Sequence, residues 1–101
     1  MTYQQRVPVM APCVVRIFIP GRGPVRALLS RIDKDAGRVS YVTIEKPIEV
    51  QHDDVSRLSN MEVEPLSVER FRRNLRYAAR EYGAESLNEP TKRAIQWTGS
   101  V

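Results

Sequence analysis

Arginines dominate the residues that could do chemistry in this chain, and Arg70, Arg72, Arg73, Arg76 and Arg80 fall in one short stretch near its end. At helical spacing Arg73, Arg76 and Arg80 line up on one side, with Arg70 and Arg72 flanking. A guanidinium presents a planar fork of donors that matches phosphate, so such a row could meet successive phosphates of a nucleic acid. Solvated helix faces are commonly charged too, but only Glu69 and Glu81 oppose the five arginines here. Because the row leaves the apolar positions of its segment untouched, exchanging Arg73, Arg76 and Arg80 for glutamine is expected to leave folding nearly intact. Arg22, exposed in the turn Pro20-Gly-Arg-Gly-Pro24, adds a second basic point. His52 and Trp97, each the sole residue of its type, complete the candidate set for binding nucleic acid or a protein partner.

Catalytic constellations are not expected. His52 and Cys13 stand far apart in sequence, and there is no G-x-S-x-G, no H-E-x-x-H and no glycine-rich phosphate loop. Cys13 is the single cysteine, in an apolar stretch, which excludes an internal disulfide and a C-x-x-C knuckle. Asp33/Asp35 and Asp53/Asp54 would serve a metal-dependent nuclease only if all four converged; their ordinary use is turn chemistry. No enzyme activity, cofactor or metal is therefore expected.

The 101 residues carry a net charge of +4, from 13 Arg and 3 Lys against 12 acids. Residues 1–31 contribute +5, residues 32–65 contribute −4 and residues 66–101 contribute +3. Basic ends around an acidic middle point to anionic partners, either nucleic acid or an acidic protein. No apolar run is long enough to cross a membrane and the first residues lack the core of a signal peptide, so a cytoplasmic location is expected.

The elements that must position these residues follow from pattern. Cys13 to Ile19 is a β-branched, aromatic run ended by Pro20-Gly, and Val25 to Ile32 follows it as a second strand. Asp33 to Gly37 makes a turn, and Arg38 to Ile44 alternates, with Val39, Tyr41 and Thr43 on one face and Ser40, Val42 and Ile44 on the other. Ile48 to Gln51 is expected as strand four, His52 to Leu58 as a short helical turn, and Asn60 to Glu64 as strand five. Val15, Ile17, Leu28, Val39, Val42, Val55 and Leu58 form the expected core. Five short strands without crossover helices imply an antiparallel small barrel over 13–64, and so an α+β chain that is one domain. Beyond Pro65 the period becomes helical: Val68, Phe71, Leu75, Ala78, Ala79 and Tyr82 form an apolar arc between an N-cap at Ser67 and a stop at Gly83. This amphipathic helix over 67–82 is expected to close one end or edge of the barrel with its Arg face outward. Residues 84–101 form a C-terminal extension in which Pro90 could open a short helix and Trp97 docks or binds a partner.

Ile17-Phe-Ile-Pro-Gly21 with Val25-Arg-Ala-Leu-Leu-Ser-Arg-Ile-Asp33 resembles the first motif of Sm-like proteins, and Val50-Gln-His52 with Val55-Ser56 resembles the second. Arg6-Val-Pro-Val9 is similar to the lead-in to the family's first strand. The resemblance, which spans residues 6–56, implies an Sm-like (Hfq-type) or SH3-like barrel and carries over His52 alone as an RNA contact. Val50 and Gln51 stand where the Hfq-type motif has Tyr and Lys. Together these observations imply a non-enzymatic, nucleic-acid-binding (RNA- or DNA-binding) regulatory protein that works through its Arg face and Arg22. The alternative is an adaptor or inhibitor that docks on an acidic protein through its barrel edge, the Arg face or Trp97, and a homo-oligomer is compatible with either.

Overall fold

The computed structural model describes residues 7–97. Arg6 and residues 98–101, which the sequence analysis assigned to the first-strand lead-in and the C-terminal extension, lie outside the described residues. The five strands are β1 (Cys13–Ile19), β2 (Gly23–Asp33), β3 (Arg38–Thr43), β4 (Gln51–Asp54) and β5 (Met61–Val63), followed by helices α1 (Val68–Tyr82) and α2 (Glu89–Ile95). A 3₁₀ helix, Val55–Asn60, joins β4 to β5. The strands form an antiparallel sheet in the order β4-β3-β2-β1-β5, so the chain is α+β.

This sheet is open. Among the described residues no ladder joins β4 to β5, so the closed barrel expected from the strand pattern does not form. The physical reason lies in the two edges: β4 has four residues and β5 three, and the 3₁₀ helix occupies the connection between them. Strand four also begins later than expected, at Gln51, which places His52 within a strand rather than at its border.

The sheet is apolar on both faces, a direct result of the near-continuous hydrophobic runs in β1 to β3. One cluster gathers Val15, Ile17, Ala27, Leu29, Val39, Tyr41 and Met61, with half-buried Val55 and Leu58 of the 3₁₀ helix packed against it. Val55 and Leu58 are thus less enclosed than the rest of the expected core, whereas Val15, Ile17, Leu28, Val39 and Val42 are fully buried. The opposite face carries Val14, Leu28, Val42 and Ile48, and these pack against Phe71, Leu75 and Ala79 of α1 and Ile95 of α2. Helix α1 therefore lies flat on a face of the sheet and does not close an end of it, because that face is itself apolar and needs cover.

Local chemistry fixes both helices. Ser67 Oγ accepts from Arg70 N at 3.0 Å, and Gly83 ends α1 at φ +102°. Asn88 Oδ1 accepts from Thr91 N at 3.0 Å, with Pro90 in the first turn of α2. The fully buried Thr91 ties α2 to the sheet side, since its Oγ1 accepts from Val50 N at 2.9 Å and donates to Asn88 Oδ1 at 2.6 Å.

Val42→Ala should cost about 2 kcal/mol in urea denaturation, because the site faces packed α1 and cannot collapse freely. The exposed Asp54 caps the 3₁₀ helix by accepting from Ser56 N at 2.8 Å, which holds its carboxyl below the ordinary carboxylate value. A lowered folded-state value means stability present above the ordinary range and lost as pH falls from there through the lowered value. An acid titration of unfolding should thus be shallower for Asp54→Ala than for the parent.

Candidate phosphate-binding groove

A groove forms where α2 lies over the β2–β3–β4 side of the sheet. Its floor begins with an irregularity: the register between β2 and β3 shifts between Leu29 and Arg31, which makes Ser30 a bulge residue. Ser30 Oγ donates to Ser40 O at 3.2 Å. Ser40 and His52 are cross-strand partners, and Ser40 Oγ lies 2.8 Å from His52 Nδ1. When the serine hydroxyl donates to Nδ1, the neutral ring carries its hydrogen on Nε2, and the imidazolium carries one there as well. In both forms Nε2 is a hydrogen-bond donor.

Arg72 of α1 and Pro90, Arg93 and Ala94 of α2 complete the walls, with Arg31 and Val50, around a volume of about 360 Å³. Three guanidiniums line this groove and, among the described residues, no carboxylate does. Arg31 reaches Asp33 Oδ2 at 3.3 Å, but the arginine side chain is 73% exposed, and so open a pair is weak enough to yield to a ligand. Arg93 is exposed and has no carboxylate partner among the described residues.

The expected Arg row divides in two. Arg72 Nε donates to Ala94 O at 3.0 Å, and Arg76 Nη1 donates to Ile95 O at 2.9 Å while its Nη2 reaches Glu69 Oε1 at 3.1 Å. Arg80 lies over the Trp97 ring, 5.3 Å from its centroid. These three side chains embrace the C-terminal end of α2, where unpaired carbonyls and the helix dipole favour cations. Arg76 is only 17% exposed. The expectation that this row turns outward is therefore corrected for Arg72 and Arg76, and of the three exchanges expected to spare folding, that of Arg76 removes a contact to Ile95 O. Arg70 and Arg73 do face solvent, beside an exposed Tyr77.

Of the other candidates, Trp97 docks half-buried against the α1-covered cluster. Arg22 sits in the β1–β2 turn, paired with Glu45 and absent from the groove lining. The structure brings together His52 and Arg72, and adds Arg31, Arg93, Ser30 and Ser40. Nothing in the sequence marked those four, because Arg31 gains its place from the β2 bulge and Arg93 from the docking of α2.

The acids serve turns. Asp33 Oδ1 accepts from Ala36 N at 3.0 Å, and Asp53 Oδ2 lies 3.2 Å from Arg57 Nε. Among the described residues no three carboxylate, imidazole or thiol groups gather as a metal site. Burial pushes the Cys13 thiol up, away from the thiolate that would react. Burial, and then the Asp53 charge, raise the Tyr41 hydroxyl. None of the helices is long and apolar enough to cross a membrane, among the described residues. A scan against protein-family models and searches of curated proteins and of solved structures find no match.

Arg76→Gln should loosen α2 at a cost of about 1–2 kcal/mol, the range for a hydrogen bond from a charged donor that is partly exposed. Hydrogen exchange would then show faster loss of protection in Glu89–Ile95, and Trp97 fluorescence would shift to the red. Arg73→Gln should change neither.

Proposed function

We propose that this chain is a non-enzymatic nucleic-acid-binding protein that grips backbone phosphates in the groove of Arg31, Arg72 and Arg93. The observation that carries this reading is the wall itself, three guanidiniums without a single carboxylate. Several arginines elsewhere are paired with acids, as in Arg16–Glu64, Arg22–Glu45 and Arg57–Asp53, whereas among the described residues Arg72 and Arg93 have no carboxylate partner and Arg31 has only the open contact to Asp33. An anionic ligand gains most where desolvating the cation does not first require breaking such a pair.

Arg70 and Arg73 on the outer side of α1 extend the basic surface beyond the groove. His52 adds an imidazole to the lining, oriented by its Ser40 contact, so the residue singled out by the Sm-like resemblance belongs to the same groove. Five antiparallel strands in the order β4-β3-β2-β1-β5 are what favours reading the chain as an opened relative of Sm-like or SH3-like small barrels. Contacts of this kind position a strand without reading its sequence.

Fluorescence anisotropy with a random-sequence oligonucleotide at several salt concentrations tests the reading. Arg31→Gln and Arg93→Gln should each weaken binding and flatten the slope of log affinity against log salt by roughly one unit or slightly less. Arg22→Gln should leave both unchanged. Parent protein that ignores nucleic acid but is captured by an acidic protein, with loss on the same substitutions, would replace this reading with that of an adaptor.

A further inference from the structure

We infer that the groove selects a phosphate monoester, the dianionic end of a nucleic-acid strand or a nucleotide, over the monoanionic diester of a continuous backbone. This rests on the phosphate-binding reading above and sharpens it. The first argument is charge. Three guanidiniums line one groove, with no carboxylate there among the described residues and with Asp33 only loosely engaged by Arg31, and together they exceed what one diester can neutralise. A monoester carries close to two negative charges at neutral pH and presents three terminal oxygens.

The second argument is the donor set. Arg72 spends its Nε on Ala94 O, which fixes the guanidinium and leaves its Nη groups for a ligand. Ser40 Oγ lies 2.8 Å from His52 Nδ1 and orients the ring, and where the hydroxyl is the donor of that pair Nε2 carries the ring hydrogen. Guanidiniums from α1, α2 and β2 thus line one groove with an imidazole from β4. A donor set drawn from four elements suits the three terminal oxygens of a monoester, whereas a diester offers only two unesterified oxygens.

Size and composition agree. A volume of about 360 Å³ leaves room for the attached sugar, yet no aromatic side chain lines it on which a base could stack. Recognition therefore rests on the phosphate and not on base identity.

The test compares a short oligothymidylate bearing a 5′-phosphate, a 3′-phosphate or hydroxyl ends only, each with the full chain at fixed salt. At least one phosphorylated end should bind about tenfold tighter or more, the gain of an added charge-assisted contact. Arg93→Gln should erase that preference, and Arg22→Gln should preserve it. Competition with thymidine monophosphate separates the two sources: displacement only at large excess identifies a strand end, and displacement at matched concentration identifies a free nucleotide. Equal binding of phosphorylated and hydroxyl-ended strands overturns the inference while leaving backbone binding intact, and a preference that survives Arg93→Gln overturns it also. Binding of the monophosphate without any oligonucleotide would uphold the monoester site and overturn the nucleic-acid reading. Failure of all probes overturns both.

Discussion

A sheet that is apolar on both faces needs two covers, and the rest of this molecule follows from that requirement. β3 shows it most plainly: Val39 and Tyr41 belong to one cluster, Val42 to the other, and every residue after Arg38 is buried. One face is covered in part by Val55 and Leu58 of the 3₁₀ helix. The other has no strand to turn to, so α1 and α2 must lie on it. Burying each large aliphatic side chain in such a layer contributes on the order of 2 kcal/mol, far more than any exposed ion pair on this surface.

The second cover creates the site. A helix as short as α2, seven residues, has little stability of its own, and tertiary contacts must hold it. Ile95 and Leu87 anchor it in the apolar cluster, Thr91 ties it to Val50, and Arg72 and Arg76 take its terminal carbonyls. Once docked, it brings Arg93 to the groove that Arg31, Ser40 and His52 also line. Arg72 belongs to both structures, as a cap for α2 through Nε and as a wall of the groove. Packing and electrostatics are therefore coupled through one side chain.

Local signals made much of the framework legible. Cys13–Ile19 is bounded by proline and glycine, β3 alternates cleanly, and Ser67 and Gly83 bracket α1 as their capping chemistry requires. Strand four was misplaced because Ile48-Glu-Val-Gln alternates as a strand does. In the fold, Ile48 instead plugs the outer cluster and the Val50 amide turns to Thr91, a partner 41 residues away. The helical pattern identified the apolar arc of α1 but held no information about what would flank it, so Arg72 and Arg76 read as solvated. The groove was illegible for the same reason. Its residues come from β2, β3, β4, α1 and α2, and no spacing within the chain encodes that convergence.

Among the described residues no further strand pairs with the outer side of β4 or of β5. Such edges are templates for the addition of further strands, and long flat ones invite fibrillar growth. Here the two edges are four and three residues long. A strand added at either could form only a few ladder bonds before reaching the 3₁₀ helix or the turn into α1, too few to offset the entropy of ordering another chain. Brevity at the margins thus does for this fold what closure does for a barrel: it denies misassembly a place to begin.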